Sequence, residues 1–462
     1  MKILITGATG MVGSQLGQVL VEQGHEIFVI SRDRERALLQ LPFPAEVIEG
    51  DLSGETLRDE RLKEVDAVVH LAGENVADGR WTASRRQRIY DSRVQSLHHL
   101  LSSLEWSRLK VFISASAVGF YGDRGDEILT EKSDRGEGFL SQVCQDWEQP
   151  LLLASKKSEG RGPRVAIFRF GVVLGEAAGA LAKMIEPFRA GLAGNLGKGQ
   201  QWMSWIHIED LVKALAESLH NPQYSGILNA VSPQPVTNHE FSLTLSSAVR
   251  EKPRLGPPVP GFALKAAMGE MSTILLASQR VMPERLLQMG FQFRYPDLAS
   301  ALNQLCQVYK EGDSLFVAEQ FFALPLEKVF PFFAEAHNLE KITPPLLNFK
   351  ITEMSTPAIQ QGTLIDYQLR IHKVPVHWKT LIQTWNPPIS FVDNQEKGPY
   401  RKWHHTHSFS KLGKGTLMVD RVRYRLPLGG LGQLTAGAWV KSDIEKIFAY
   451  RRKAALELLP SY

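Results

Sequence analysis

The stretch ILITGATGMVG, residues 3–13, decides the fold of the first part of the chain. Its apolar and β-branched beginning predicts a strand, and the spaced apolar residues that follow, among them Leu16 and Val19, predict a helix. Glycines let a backbone approach a ligand closely, and a helix start presents unpaired N–H groups, so this segment predicts a pyrophosphate site. The turn residues expected at the ligand are Gly7, Thr9, Gly10, Met11, Val12 and Gly13.

The end of the second predicted strand, residues 26–30, indicates which dinucleotide would bind. An Asp or Glu at this point would favour a free ribose 2′-hydroxyl, whereas the chain has Ser31 and Arg32. A hydroxyl and a cation suit a 2′-phosphate. We therefore predict NADP(H) rather than NAD, the alternative being a solvated arginine at the end of a strand.

Length, charge and cysteine count limit the class of protein. A chain of 462 residues predicts about two to three domains. A net charge of +4 carries no nucleic-acid signature, and no apolar run is long enough to span a membrane. Two cysteines and no secretory signal predict a cytoplasmic protein without a disulfide framework.

The order of segments predicts two domains. Strand-like and helix-like runs alternate over the first part of the chain, which favours a doubly wound parallel sheet and an α/β fold. We place this domain at 1–310, with a glycine-rich substrate lobe at about 171–300. Residues 313–462 combine aromatic and β-branched runs with a long amphipathic C-terminal segment, which predicts an α+β domain of an antiparallel sheet and a terminal helix.

Five segments carry a family resemblance over about residues 1–300: ITGATGMVG, VVHLAGENVADGRWT, VFISASAVGFYG, FRFGVVLG and QWMSWIHIEDL. In this order they resemble the atypical epimerase-like branch of the extended short-chain dehydrogenase/reductase superfamily. The resemblance implies a Rossmann fold that binds NADP(H). It also implies further cofactor-binding residues, namely Asp51, Leu52, Leu71, Ala72, Gly73 and Arg93.

The usual catalytic motif of that superfamily is absent. Its phenol needs a lysine four residues later, on the same helical face, and no tyrosine of this chain has one. Leu140 and Cys144 stand where the pair is expected. The residues left near the expected nicotinamide site are Ser114, Ser116 and Tyr121. Ser116 and Tyr121 could polarise a carbonyl oxygen; alternatively, Ser116 could cap a turn and Tyr121 could pack at the interface with the lobe.

Residues 314–460 resemble the START-like superfamily, the helix-grip fold of polyketide cyclases and lipid carriers, also called SRPBCC. The resemblance rests on the order of the segments, and it implies a cavity for an apolar ligand. Aromatic residues could line that cavity or fill a core: Phe316, Phe321, Phe322, Phe330, Phe332, Phe333, Trp378, Trp385, Trp403 and Trp439.

Two polar patterns in this second domain have an ordinary and a functional interpretation. His405 and His407 share a strand face without a fitting acid or cysteine beside them in sequence, so we expect no metal site. Arg421, Arg423 and Arg425 lie on one strand face, either solvated or facing an acidic partner.

Three functions follow from these observations. The first is an NADP(H)-dependent, epimerase-like oxidoreductase for a small carbonyl or sugar-like substrate. The second is a protein that binds NADPH without turnover, as a sensor or scaffold. The third is a carrier of a hydrophobic ligand in the second domain.

Overall fold

The computed structural model describes residues 1–157 and 162–459, and its contacts divide the chain into two compact units. The first unit comprises Met1–Leu38 and Ala45–Gln307, and the second comprises Leu39–Pro44 and Val308–Tyr462. Residues 158–161 of the predicted first domain and residues 460–462 of the predicted second domain lie outside the described residues.

Strands and helices alternate up to Lys310. Strands β1 to β13 are Lys2–Thr6, Glu26–Ser31, Glu46–Glu49, Ala67–His70, Val111–Ala117, Ile128–Leu129, Arg164–Phe170, Val172–Gly175, Trp202–Met203, Trp205–His207, Gly226–Ala230, Val236–Thr237 and Arg280–Val281. Helices α1 to α12 are Met11–Glu22, Arg34–Gln40, Ala83–Asp91, Val94–Ser103, Phe139–Lys157, Gly179–Arg189, Ile208–Ser218, Asn238–Val249, Gly261–Met268, Ser272–Leu276, Glu284–Gln288 and Leu298–Lys310.

A parallel sheet forms the centre of the first unit. In the described residues it has seven strands in the order β11-β7-β5-β4-β1-β2-β3. Its central strands are continuous apolar runs, and Ile3, Leu4 and Ile5 are fully buried, as expected of a sheet covered on both faces. The strand order reverses between β1 and β4, where open α/β sheets bind ligands. The predicted Rossmann-type parallel sheet is therefore confirmed.

The region predicted as a substrate lobe combines helices α6 to α11 with short strands. In the described residues its short strands form three two-stranded sheets: β8 with β10, β9 with β12, and β13 with β6, a strand that lies outside the lobe. The last pair ties Arg280 and Val281 to Ile128 and Leu129, next to the end of β5.

The second unit is built on an antiparallel sheet, as predicted. Strands β14 to β20 are Ser314–Phe322, Lys350–Met354, Leu364–Ile371, Val374–Asn386, Ser390–Lys397, Lys402–Leu412 and Gly415–Arg425. Helices α13 to α15 are Leu326–Ala334, Ala336–Lys341 and Gly430–Leu458. Within the described residues the strand order is β14-β20-β19-β18-β17-β16-β15.

The 29-residue helix α15 packs against this sheet. Ile444 and Phe448 join Val422 and Tyr424 of β20 in one apolar cluster, and Ala455 joins a second cluster with Phe409 of β19. The sheet and the helix therefore share a core along the middle and the C-terminal turns of α15. Among residues 1–157 and 162–459, no helix has the length and apolarity that a membrane crossing requires.

Candidate functional site

The glycine turn after β1 has the geometry that the sequence predicts. Gly7 has a φ of +71°, and a Cβ there would come within 2.9 Å of the backbone of Leu71 and Ala72. A Cβ on Gly13 would lie 2.4 Å from the Gly7 carbonyl oxygen. Neither position can hold a side chain without movement, so the two glycines let β1, α1 and the end of β4 meet.

The start of α1 is open to a ligand. Thr9 and Gly10 are exposed, and no side chain in the described part of the chain caps the helix at Gly10. Met11 and Val12 are half-buried at its first positions. The first N–H groups of an α-helix have no partner inside the helix and lie at its positive end. This turn therefore presents donors suited to a pyrophosphate.

The end of β2 places a cation at the predicted ribose position. Arg32 is exposed, while the Ser31 hydroxyl donates to the Asp33 carbonyl at 3.0 Å. The Asp33 carboxylate accepts from the Arg36 amide at 2.8 Å and so caps α2. The first acid after this strand in sequence is thus engaged by the helix, and Arg32 is an exposed cation suited to a 2′-phosphate.

The residues after β4 lie beside the glycine turn. The Ala72 amide donates to the Thr6 hydroxyl at 3.2 Å. A Cβ on Gly73 would lie 3.0 Å from the guanidinium carbon of Arg93. Arg93 is half-buried, lies over the Trp147 ring at 5.4 Å, and has its pKa lowered by burial. The structure thus brings together Gly7, Leu71, Ala72, Gly73 and Arg93.

Asp51 and Leu52 follow β3. The Asp51 carboxylate accepts from the Ser53 amide at 3.0 Å and from its hydroxyl at 2.6 Å. Burial opposes its charge, but these hydrogen bonds and Arg32 lower its pKa. The Leu52 side chain lies in the core, so a ligand could reach this residue only through its backbone.

Ser116 and Tyr121 belong to one buried polar network. The Ser116 hydroxyl donates to Glu148 Oε1 at 2.6 Å, and Arg169 forms a two-pronged ion pair with the same carboxylate at 2.9 and 2.6 Å. Arg169 also donates to the Tyr121 hydroxyl at 2.9 Å. That hydroxyl faces the Asn229 side-chain oxygen at 2.8 Å.

This network fixes the chemical state of the phenol. Tyr121 is fully buried. Burial raises its pKa, although the cation of Arg169 acts in the opposite direction. Tyr121 therefore stays protonated, with its hydroxyl occupied on both sides. Arg169 places a cation beside the phenol, and the hydroxyl faces the Asn229 side-chain oxygen and the Thr130 carbonyl oxygen at 2.8 and 3.0 Å.

Leu140 and Cys144, which stand where the catalytic tyrosine and lysine are expected, lie in apolar surroundings. Leu140 packs near Gly119, and burial raises the pKa of the Cys144 thiol to about 11, which makes it a poor nucleophile. His207 caps α7 by accepting from the Glu209 amide, and its other ring nitrogen lies 3.1 Å from Gln304. These contacts agree with a packing role for Leu140 and Cys144 and a capping role for His207.

The second unit has a partly open cavity of about 990 Å³ lined by the sheet and by α13, α14 and α15. Its aromatic lining includes five of the ten residues named from the sequence: Phe332, Phe333, Trp378, Trp403 and Trp439. Phe322 and Phe330 instead pack in an apolar core with Phe409, and Phe316 packs with Phe448. The aromatic residues therefore divide between the two interpretations.

Two aspartates lie beside two histidines that line this cavity. Asp393 of β18 and Asp420 of β20 lie in register beside His405 and His407. His405 and His407 are buried, and with Asp393 they line the cavity. Burial opposes a charge on His407, but the two carboxylates outweigh it and raise its pKa. The sequence showed no acid beside these histidines because the acids come from the neighbouring strands.

The arginines of β20 bind an internal anion. Asp313 is fully buried, and Arg423, Arg425 and Lys402 approach its carboxylate at 2.8, 2.8 and 2.6 Å. Burial opposes the charge on Asp313, but these cations lower its pKa. Two of the three arginines are thus used inside the unit.

Sequence reasoning missed Glu148, Arg169, Asp393 and Asp420. Glu148 and Arg169 are 21 positions apart and meet only because α5 covers β7. Asp393 could have been connected with the histidines only by knowing that β18 pairs with β19 and in which register. A charged residue inside an otherwise apolar predicted strand, as in FRFG at residues 168–171, was the available clue for Arg169.

The first part of the chain is similar to known proteins. The model of the NAD dependent epimerase/dehydratase family matches residues 3–230, and that of a domain of unknown function, DUF1731, matches residues 259–305. The "Epimerase family protein SDR39U1 homolog, chloroplastic" of Arabidopsis thaliana is 38% identical over 312 residues, which are 66% of this chain and 87% of that protein.

Two solved structures are also similar. The structure of the human epimerase family protein SDR39U1 with NADPH aligns with 32% identity and a TM-score of 0.57, over 66% of this chain and 99% of that chain. A nucleoside-diphosphate sugar epimerase from Corynebacterium glutamicum aligns with 34% identity and a TM-score of 0.52, over 66% of this chain and 58% of that chain.

Proposed function

This chain belongs to the NAD dependent epimerase/dehydratase family, and from that premise we propose that its first domain, residues 1–310, binds NADPH. The observation that carries the proposal is the uncapped glycine turn at the start of α1, with Arg32 exposed at the end of β2. The donors fit a pyrophosphate and a 2′-phosphate. The human relative solved with NADPH supports the same cofactor.

Each predicted residue has a role in this proposal. The turn residues Gly7, Thr9, Gly10, Met11, Val12 and Gly13 hold the pyrophosphate, and Ser31 and Arg32 select the 2′-phosphate. Asp51 and Leu52 lie near the adenine, while Leu71, Ala72, Gly73 and Arg93 line the cofactor after β4. NADPH, when bound, can supply a hydride to a carbonyl or sugar-like substrate.

Binding without turnover is the function that the geometry supports best. Ser116 and Tyr121, the proposed catalytic residues, have their hydroxyls engaged by Glu148, Arg169 and Asn229. Oxidoreductase or epimerase activity is the alternative, in which these residues polarise the substrate oxygen.

Titration with NADPH and NADH separates these functions, with the change in nicotinamide fluorescence as the measure of binding. We expect NADPH to bind in preference to NADH and to persist unconsumed with a panel of carbonyl compounds. Equal affinity for the two cofactors would contradict the 2′-phosphate site. Consumption of NADPH that Tyr121→Phe abolishes, with cofactor affinity unchanged, would favour the oxidoreductase.

We further propose that residues 313–462 form a START-like, helix-grip domain that binds an apolar ligand. The cavity of about 990 Å³ lies between an antiparallel sheet and a long terminal helix, and pockets of this size accept small organic ligands. The proposed ligands are small molecules, and the proposal includes neither a nucleic-acid partner nor a membrane-spanning segment.

A fluorescent apolar probe, anilinonaphthalene sulfonate, tests the cavity. Ala436 lines it, whereas Ala438 on the same helix is exposed. Ala436→Phe should lower the enhancement of probe fluorescence by filling the space, while Ala438→Phe should leave it unchanged. An equal response of the two variants would show that the probe binds elsewhere.

A further inference from the structure

Two histidines and one aspartate converge on a single point at the wall of the cavity in the second unit. Asp393 Oδ2 lies 3.0 Å from His407 Nε2 and 3.5 Å from His405 Nδ1. The candidate ligand atoms of these three residues all lie within 4.8 Å of one another. We propose that Asp393, His405 and His407 bind a first-row divalent transition-metal ion.

The separations fit such an ion. Metal–ligand bonds of about 2.0 to 2.2 Å in a tetrahedron place neighbouring ligand atoms roughly 3.3 Å apart. The two measured distances lie on either side of that value. Two imidazole nitrogens and one carboxylate oxygen suit Zn²⁺, Fe²⁺ or Co²⁺, whereas Mg²⁺ and Ca²⁺ require oxygen ligands.

Asp420 contacts the two histidines on the side away from the proposed metal ion and so can hold their rings in place. Its Oδ1 accepts from His405 Nε2 at 2.9 Å and lies 2.7 Å from His407 Nδ1. These are the ring nitrogens that face away from Asp393. A metal-ligating histidine usually gives its second N–H to a carboxylate, which fixes the ring. One aspartate thus serves both histidines, although His407 Nδ1 lacks good hydrogen-bond geometry as it stands.

The sheet holds the cluster rigidly and leaves one side accessible. Asp393, His405 and His407 come from adjacent strands β18 and β19, and the two imidazole rings lie 3.8 Å apart between centroids. The three residues line the cavity, so a bound ion would have its remaining coordination position toward that space. Nothing in this inference depends on NADPH binding.

Metal titration of the untagged, full-length protein after chelator treatment tests the proposal. We expect one equivalent of Zn²⁺ or Co²⁺ to bind, measured by calorimetry and by the visible absorption of Co²⁺. Zinc-edge X-ray absorption of the wild-type protein should show two imidazole ligands and oxygen. The proposal would be overturned if the protein bound neither ion stoichiometrically, or if the spectrum showed no imidazole ligand. The four side chains would then form only a hydrogen-bonded cluster.

Variants on the same strand identify the ligands. Asp420→Asn should lower the affinity about 10- to 100-fold, and His407→Gln, which removes a ligand, should lower it further. His404, which faces the other side of β19 and hydrogen-bonds Asn394, gives the matched control His404→Gln with unchanged affinity. The surface pair His25 and His220, whose Nε2 atoms lie 3.2 Å apart, is a competing site, so loss of binding in His220→Gln would assign the metal there and refute the inference.

Discussion

Single side chains decide which dinucleotide the first unit would accept. Arg32 is exposed at the end of β2, and Asp33, which follows it in sequence, is engaged as the cap of α2. We predict that Arg32→Glu weakens NADPH binding much more than NADH binding, because it replaces the attraction to a 2′-phosphate by repulsion. Fluorescence titration measures both affinities. Arg36→Glu, also exposed nearby, is the control, and a similar loss in that variant would mean that the effect is general electrostatics.

His70 makes the stability of the first unit depend on pH. It is fully buried, and burial together with the neighbouring Arg93 lowers its pKa from 6.5 to about 3. Between these values the unfolded chain binds a proton that the folded chain does not, so stability is lost as the pH falls below 6.5. The slope approaches about 1.4 kcal/mol per pH unit.

Urea unfolding between pH 4 and 6 measures this dependence. We predict that His70→Gln reduces the slope of unfolding free energy against pH by about that 1.4 kcal/mol per unit. His98→Gln, an exposed histidine on α4, should retain the wild-type slope. Parallel pH profiles for wild type and His70→Gln would show that another group is responsible.

At the scale of elements, the meeting of β1, α1 and β4 depends on glycine. Gly7 and Gly24 both have positive φ values, +71° and +80°, but only at Gly7 would a Cβ collide with backbone. Gly7→Ala should therefore cost about 1 to 3 kcal/mol more unfolding free energy than Gly24→Ala, and it should also weaken NADPH binding. Equal destabilisation in urea unfolding would mean that the strand end moves freely.

Helix α5 and strand β7 are joined by a buried ion pair. Glu148 and Arg169 are each 3% exposed. If one charge is removed, the other stays buried without an ion-pair partner and without contact with water. We predict that Glu148→Gln destabilises the protein by about 3 to 5 kcal/mol, measured by chemical unfolding. Glu127→Gln removes the exposed partner of Arg124 and should cost about 1 kcal/mol or less. A loss in Glu148→Gln no larger than in that control would argue against a tight buried pair.

At the scale of the whole molecule, both thiols are hidden. Cys144 and Cys306 are buried, and burial raises the pKa of each, to about 11 for Cys144 and about 12 for Cys306. We predict that a thiol reagent such as Ellman's reagent labels neither cysteine of the folded protein promptly and labels both in denaturant. Fast labelling of one thiol under native conditions would show that its part of the core opens.

The sequence predicted what depends on local pattern. Residues 2–6 and the glycines that follow them specify a strand, a turn and a helix without help from distant residues, and the parallel sheet is confirmed. Contacts between distant segments were beyond such reasoning. The pairing of Glu148 with Arg169, and of Asp393 with His407, depends on which elements become neighbours, and the spacing along the chain does not contain that information.

The sheet of the second unit also has a consequence for the order in which the protein can be made. Its first strand, β14, lies at an edge and pairs only with β20 in the described sheet, about a hundred residues later along the chain. On the ribosome, β14 emerges long before residues 416–424 are translated. Until then its backbone donors and acceptors face the solvent and any nascent neighbour, so the strand is exposed to mispairing for most of the synthesis of this unit.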